Sequence, residues 1–153
     1  MKDEQRQKRI REHIRRDRFS EMLGATVEIV APGHSRATLT VTEEMLNFHG
    51  QTHGGVIFAL GDMAFAAAGN SRGQTAVALN VAINFLKATG LGDQLVAEAL
   101  ERSASGPIAL YDITVRDART GELVAKSADL LYRKKEWFVP GSAGSDGKSS
   151  GES

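Results

Sequence analysis

Cysteine is absent from the 153-residue sequence. Its absence excludes a disulfide scaffold, a thiolate nucleophile, an iron–sulfur cluster and a cysteine-based zinc site together, and it fits a reducing compartment. Charge of one sign is missing as well. Nineteen Lys and Arg balance nineteen Asp and Glu, so the protein as a whole is not built to hold a polyanion. Long apolar runs are also lacking: the most apolar stretch, residues 54–69, is too short for a bilayer and carries Asp62 in its middle. Residues 2–18 hold eight Lys/Arg, four Asp/Glu and only Ile10 and Ile14 as apolar side chains, so no secretion signal is read there. The expected location is the cytoplasm, with no membrane and no nucleic acid as partner.

What is present suits one globular core: hydrophobic residues make up 41% and charged residues 25%. Three regions separate by composition. Residues 1–18 form a charged N-terminal helix, expected to be solvated, with Ile10 and Ile14 as a thin apolar stripe. Residues 19–138 form the main domain, and residues 139–153 a flexible Gly/Ser-rich tail.

Within the main domain, residues 24–43 read as a hairpin. Ala25, Val27 and Ile29 alternate with polar residues, and after the Pro32-Gly33 turn Ala37, Leu39 and Val41 do the same. Residues 54–70 are too long and too alanine-rich for a strand, and their apolar side chains point all around a 3.6-residue period. They predict one buried helix. From Gln74 onward the pattern is strands. Val77, Leu79, Val81, Ile83 and Phe85 hold one face of a long strand, with small Ala and Asn residues on the other. Three further strands follow at about 92–104, 107–118 and 121–134. No helix returns between these strands, so they are antiparallel. The predicted fold is α+β: an antiparallel sheet of about six strands wrapped around one long central helix, the hotdog architecture. The small-residue face of the long strand suggests a twofold subunit interface.

Asp62 does not fit its surroundings. A carboxylate among Phe58, Leu60, Met63 and Phe65 costs several kcal/mol unless it is bonded, paired or working. Directly before its helix lies Asn47-Phe48-His49-Gly50-Gln51-Thr52-His53-Gly54-Gly55. Gly54 and Gly55 fall at the helix N-terminus, where amides lack intrahelical partners and a ligand oxygen can approach closely: an oxyanion hole in outline. At 1.5 Å per residue, Asp62 lies roughly 12 Å along the axis from Gly54. If both act on one carbonyl, they come from different subunits. His49 and His53 are four apart, but Gly50 opposes a helix there and no H-E-x-x-H occurs, so neither a metal nor any other cofactor is expected. A nucleophile elbow and a P-loop are likewise absent.

The run from Asn47 through His53-Gly54-Gly55 to Asp62 and Phe65 closely resembles the hotdog-fold thioesterases of the phenylacetic-acid-degradation (PaaI) type, and the similarity extends from about Phe19 to Lys134. The resemblance implies hydrolysis of acyl-coenzyme A thioesters, aromatic (phenylacetyl-type) or medium-chain, by a homodimer with active sites between subunits or by a dimer of dimers (a homotetramer). It implies Asp62 as the catalytic carboxylate, either general base or nucleophile. Gly54, with Gly55, would supply the oxyanion and substrate-binding amides, Asn47 would orient water or carbonyl, and His53 would support the loop. Some relatives add a Ser or Thr beside the acid; here Ala66 follows one turn after Asp62 and Ala78 lies on the long strand, so no such helper is named. Gly61 stands where relatives often carry Ala. Two other readings stay open: a non-catalytic acyl-coenzyme A sensor, and a hotdog dehydratase or hydratase using His53 with Asp62.

Overall fold

The computed structural model describes residues 2–141; of the predicted tail, residues 142–153 lie outside the described residues. Three helices and six strands alternate as α1 (Asp3–Ile14), α2 (Arg18–Met22), β1 (Thr26–Ala31), β2 (His34–Thr40), α3 (Gly54–Gly69), β3 (Gln74–Phe85), β4 (Gln94–Ser105), β5 (Ile108–Asp117) and β6 (Leu123–Trp137). The strands form one antiparallel sheet in the order β1-β2-β4-β5-β6-β3. This is the hotdog fold expected from the element order.

The sheet curls around α3 because both surfaces are built from small residues where they meet. Ala64 and Ala68 of the helix and Ala97 and Ala99 of β4 are fully buried, and larger side chains such as Leu60, Phe65, Leu95 and Tyr111 fill the flanks. Phe65 meets Tyr111 edge-on, 5.4 Å between ring centroids. Burial of this kind is worth roughly 1.5–3 kcal/mol per large side chain. The hairpin turn at Pro32-Gly33 falls where the sequence placed it, with Gly33 at φ +77°.

Three expectations are corrected. Helix α3 is not buried on all sides: Gly55, Phe58, Asp62 and Ala66 recur at helical spacing as an exposed stripe. Alanine and glycine disguise such a stripe, because neither reveals in sequence whether it faces a core or an opening. Strand β3 does not bury its whole apolar face either. A register irregularity between Ala78 and Asn80 inserts one residue and reverses the alternation, so Ala76 faces inward before it and Val81 and Ile83 after it. Val77 and Leu79 are left outside, and β3 is an edge strand hydrogen-bonded to β6 alone.

The leading helix is the third correction, for it is docked rather than solvated. Ile10 is fully buried against Ile29, Ala67 and Val139. Arg6 donates to the carbonyls of Arg72 and Pro140, the latter at 2.8 Å. Gly73 closes this joint. Its φ is +85°, and a Cβ there would lie 2.9 Å from the Val139 carbonyl oxygen, so no other residue fits without strain. Among the described residues no helix is long and apolar enough to cross a membrane.

Candidate active site

The loop ahead of α3 is stapled at its base. A bridge joins Leu46 to Thr52, the Thr52 amide donates to the Thr89 carbonyl at 2.9 Å, and the His53 amide to the Met45 carbonyl at 2.8 Å. The Thr52 and Thr89 hydroxyls meet at 2.8 Å in the buried base. Asn47 shapes the tip: its Oδ1 accepts from the amides of His49 at 2.9 Å and Gln51 at 3.2 Å. That carbonyl is spent on the loop, and the side-chain NH2 has no acceptor among the described residues.

His53 is the N-cap of α3. Its Nδ1 accepts from the Gly55 amide at 2.8 Å, which places the ring proton on Nε2. Glycine at 55 makes the cap possible, because a Cβ there would stand 2.9 Å from His53 Nδ1. The Val56 amide returns to the His53 carbonyl at 2.9 Å. Of the first-turn amides only that of Gly54 has no acceptor among the described residues. The two glycines that look equivalent in sequence are therefore different: Gly54 keeps a free donor, and Gly55 has committed its own. The Phe85 ring from β3 lies over this end, 3.6 Å from where a Gly54 Cβ would be.

Asp62 stands on the open stripe of α3, two turns along. Its carboxylate is exposed in the single chain, yet its apolar surroundings desolvate it enough to raise its pKa, and the charge of Asp17 adds to that. On one side it borders a cavity of about 10 Å³ that Phe58, Val81 and Ile113 help to enclose. One turn further along the stripe, Ala66 and Met63 open onto a chamber of about 410 Å³, walled by Ile14, Val27 and Phe138 and rimmed by Asp17.

The structure thus gathers Asn47, His53, Gly54 and Gly55 at one end of α3 and leaves Asp62 about 12 Å away along the same helix. His49 sits on the exposed loop tip beside Phe48, ring centroids 4.3 Å apart. No group of three or more His, Asp or Glu among the described residues is placed to hold a metal ion. Of the surface cations, Arg72 and Arg133 are bound to Glu101, Lys87 to Glu122, and Arg116 donates to the Gly121 carbonyl. Sequence reasoning missed Ser127 and Asp129, which line the small cavity beside Asp62. The signal was available: β6 alternates inward at Ala125, Ser127 and Asp129, and a polar pair on a core-facing period is as anomalous as Asp62 itself.

Residues 49–124 match the model of the Thioesterase superfamily. A protein of Archaeoglobus fulgidus described as a candidate esterase is 35% identical over 140 residues, 91% of this chain and 90% of that one. The acyl-coenzyme A thioesterase PaaI of Escherichia coli is 40% identical over 99 residues, 65% of this chain and 71% of its own length. The structure of the E. coli PaaI protein from the phenylacetic acid degradation operon superposes with a TM-score of 0.82 at 32% identity, covering 87% of this chain and 96% of that one. A Streptococcus mutans protein bound to acetyl CoA superposes at 0.68 with 30% identity, over 72% of this chain and 88% of that one. The chain belongs to the thioesterase superfamily, as a hotdog-fold thioester hydrolase of the PaaI acyl-coenzyme A thioesterase type.

Proposed function

We propose that the protein hydrolyses aromatic or medium-chain acyl-coenzyme A to the free acid and coenzyme A, in a homodimer that builds each site from two subunits. The observation that carries this reading is the separation on α3. A carbonyl oxygen held by the free Gly54 amide lies too far from Asp62 of the same chain, whose side chain spans only about 2–3 Å. A twofold mate set against the open stripe and the unpaired edge of β3 supplies the missing half.

In this arrangement the Gly54 amide of the partner subunit stabilises the oxyanion that develops on the thioester carbonyl, and the helix dipole adds to it. Asp62 takes a proton from water as the water oxygen bonds to the carbonyl carbon. Collapse of the tetrahedral intermediate breaks the C–S bond and releases coenzyme A as thiolate, which takes up the proton. A carboxylate whose pKa is raised is the better base for this work. The Asn47 side-chain NH2 is placed to donate to water or carbonyl, and His53 holds the loop. The acyl group extends along the stripe into the chamber beside Met63 and Ala66. Benzene fits a cavity of roughly 150 Å³, so 410 Å³ accommodates an arylacetyl group or a medium-length chain.

Thiol release measured over a panel of aryl and straight-chain acyl-coenzyme A esters tests this. Hydrolysis is expected to be lost in Asp62→Asn, with the wild-type subunit count retained by light scattering. Undiminished turnover in that variant removes the mechanism, and a monomeric active enzyme removes the shared site. A single turnover in ¹⁸O-water is expected to label the acid product; label found in Asp62 instead would make it the nucleophile.

A further inference from the structure

Asp129 is a buried acid that the chemistry above does not use. It lies on β6, opposite Val81 of β3 and Tyr111 of β5, and is 2% exposed. Ser127, two residues away on the same inward face and 4% exposed, donates its hydroxyl to Asp129 Oδ1. No partner for Asp129 Oδ2 is present among the described residues. Both residues, with Asp62, border the cavity of about 10 Å³ between α3 and the sheet. That is room for one water molecule, and three polar side chains are enough to hold it.

Resting on the assignment of Asp62 above, we propose that Asp129 is a positioning residue: a neutral carboxyl group that donates, through one enclosed water, to the Asp62 carboxylate and holds it in its reacting orientation. The hydrogen-bond arithmetic closes. The Asp129 O–H donates to the water, the water donates one hydrogen to Asp62 and the other to Ser127 Oγ, and Ser127 donates to Asp129 Oδ1. If both acids were charged, two carboxylates would border one small cavity whose lining holds a single cation, the exposed Lys126, and neither acid is ion-paired with it, a geometry in which one of the pair keeps its proton.

The groups facing Asp129 support this. From α3 there is Asp62, with Asp17 behind it in the segment before α2. From β5 there is Tyr111, whose hydroxyl is already directed to the Ala68 carbonyl and Glu101. From β3 there are the apolar Val81 and Ile83, and from β6 Ser127 and the exposed Lys126. Burial raises the Asp129 pKa first of all and the charge of Asp62 raises it further, while the Ser127 hydrogen bond works the other way and does not prevail. Asp129 is the buried member of the pair and Asp62 the exposed one, and loss of hydration disfavours charge on the buried acid first. The proton therefore belongs on Asp129 and the negative charge on Asp62.

The test compares Asp129→Asn, which still donates and cannot ionise, with Asp129→Leu, which does neither. Losing a donor to Asp62 makes its charged form less favourable, so in Asp129→Leu the acid limb of the kcat profile is expected to move about one pH unit upward, with kcat down more than tenfold. Asp129→Asn is expected to keep the limb within a few tenths of a unit and to lose no more than about threefold in kcat. A limb that moves downward in Asp129→Asn would mean that Asp129 is charged in the native enzyme, and a limb unmoved in both variants would mean that it only fills space. Either overturns the proposal. Should Asp129→Leu fail to fold, infrared spectroscopy decides: a protonated-carboxyl stretch at neutral pH that Asp129→Asn abolishes supports the proposal, and its absence from the wild type refutes it. Asp62→Asn serves as the control. If that variant remains active, the functional reading has failed; if it is dead while the Asp129 variants behave like wild type, only this inference has.

Discussion

Glu101 and Asp62 are both carboxylates drawn partly out of water, one beside the C-terminal end of α3 and one at its middle, and their surroundings treat them in opposite ways. Glu101 lies between two guanidiniums, 2.7 Å from Arg72 and 3.0 Å from Arg133, and accepts from the Tyr111 hydroxyl at 3.3 Å. Burial alone would raise its pKa, but the two arginines more than offset this and hold it below the ordinary glutamate value. Asp62 makes no ion pair among the described residues. Burial raises its pKa, Asp17 adds to the rise, and nothing opposes them. Two acids of the same chemistry thus do different jobs. Glu101 fastens the turn after α3 to β4 and β6, whereas the surroundings of Asp62 disfavour its charged form, the setting that its proposed role as a base requires.

The contrast is broken or sharpened most strongly at Asp62. Asp62→Asn is expected to reduce kcat/KM by about 10²–10⁴-fold, the range for a general base, measured by thiol release; a loss below tenfold would put Asp62 in the same structural class as Glu101. Next comes Glu101→Ala, which strands two arginines at a partly buried site and is expected to lower unfolding stability by about 2–3 kcal/mol in urea titration. Specific activity of the folded fraction should be unchanged. An unmoved midpoint would show that the Glu101 cluster fastens nothing.

An effect of opposite sign is expected for Asp62→Asn in thermal melting: a higher midpoint than wild type at pH 7. The sign follows from linkage. An acid whose folded pKa is raised adds its stability fully below the unfolded value near 3.9 and loses it as pH rises through the folded value, so the variant's advantage should fade below about pH 4. Glu101 runs the other way: its contribution is present above the unfolded value and is lost as pH falls through the depressed one. The smallest effect is expected at Gly61, where an added Cβ would make ordinary contacts at 3.5 Å with Ile113 and 3.9 Å with Val115. Gly61→Ala should stabilise by up to about 1 kcal/mol, read from the same melts.

The sequence made the strands, the hairpin and the central helix legible because their periods are long and regular. The catalytic candidates were legible because Asp62 is a charge in an apolar run and the diglycine sits at a helix start. What escaped depends on surroundings rather than on local pattern. The open stripe of α3 is written in Gly, Ala and one Phe, residues that suit a core equally well. The reversal within β3 comes from one unpaired residue, which alternation cannot register. The docking of α1 rests on Ile10 and Arg6 reaching segments far along the chain. The different fates of Gly54 and Gly55 follow from a histidine ring turning back on its own helix, a cap usually made by Ser, Thr, Asp or Asn.

The position of β3 at the border of the sheet bears on how far assembly can go. A twelve-residue strand with one unpaired edge, and with Val77, Leu79 and Phe85 exposed on it, would recruit further chains without limit if the contact were head-to-tail. An antiparallel strand meeting its own image uses up both borders in a single event. Self-recognition at this seam would therefore terminate growth as well as start it, leaving the six-residue β1, with the charge of Glu28 on it, as the outer rim of a closed particle instead of the growing tip of a fibre.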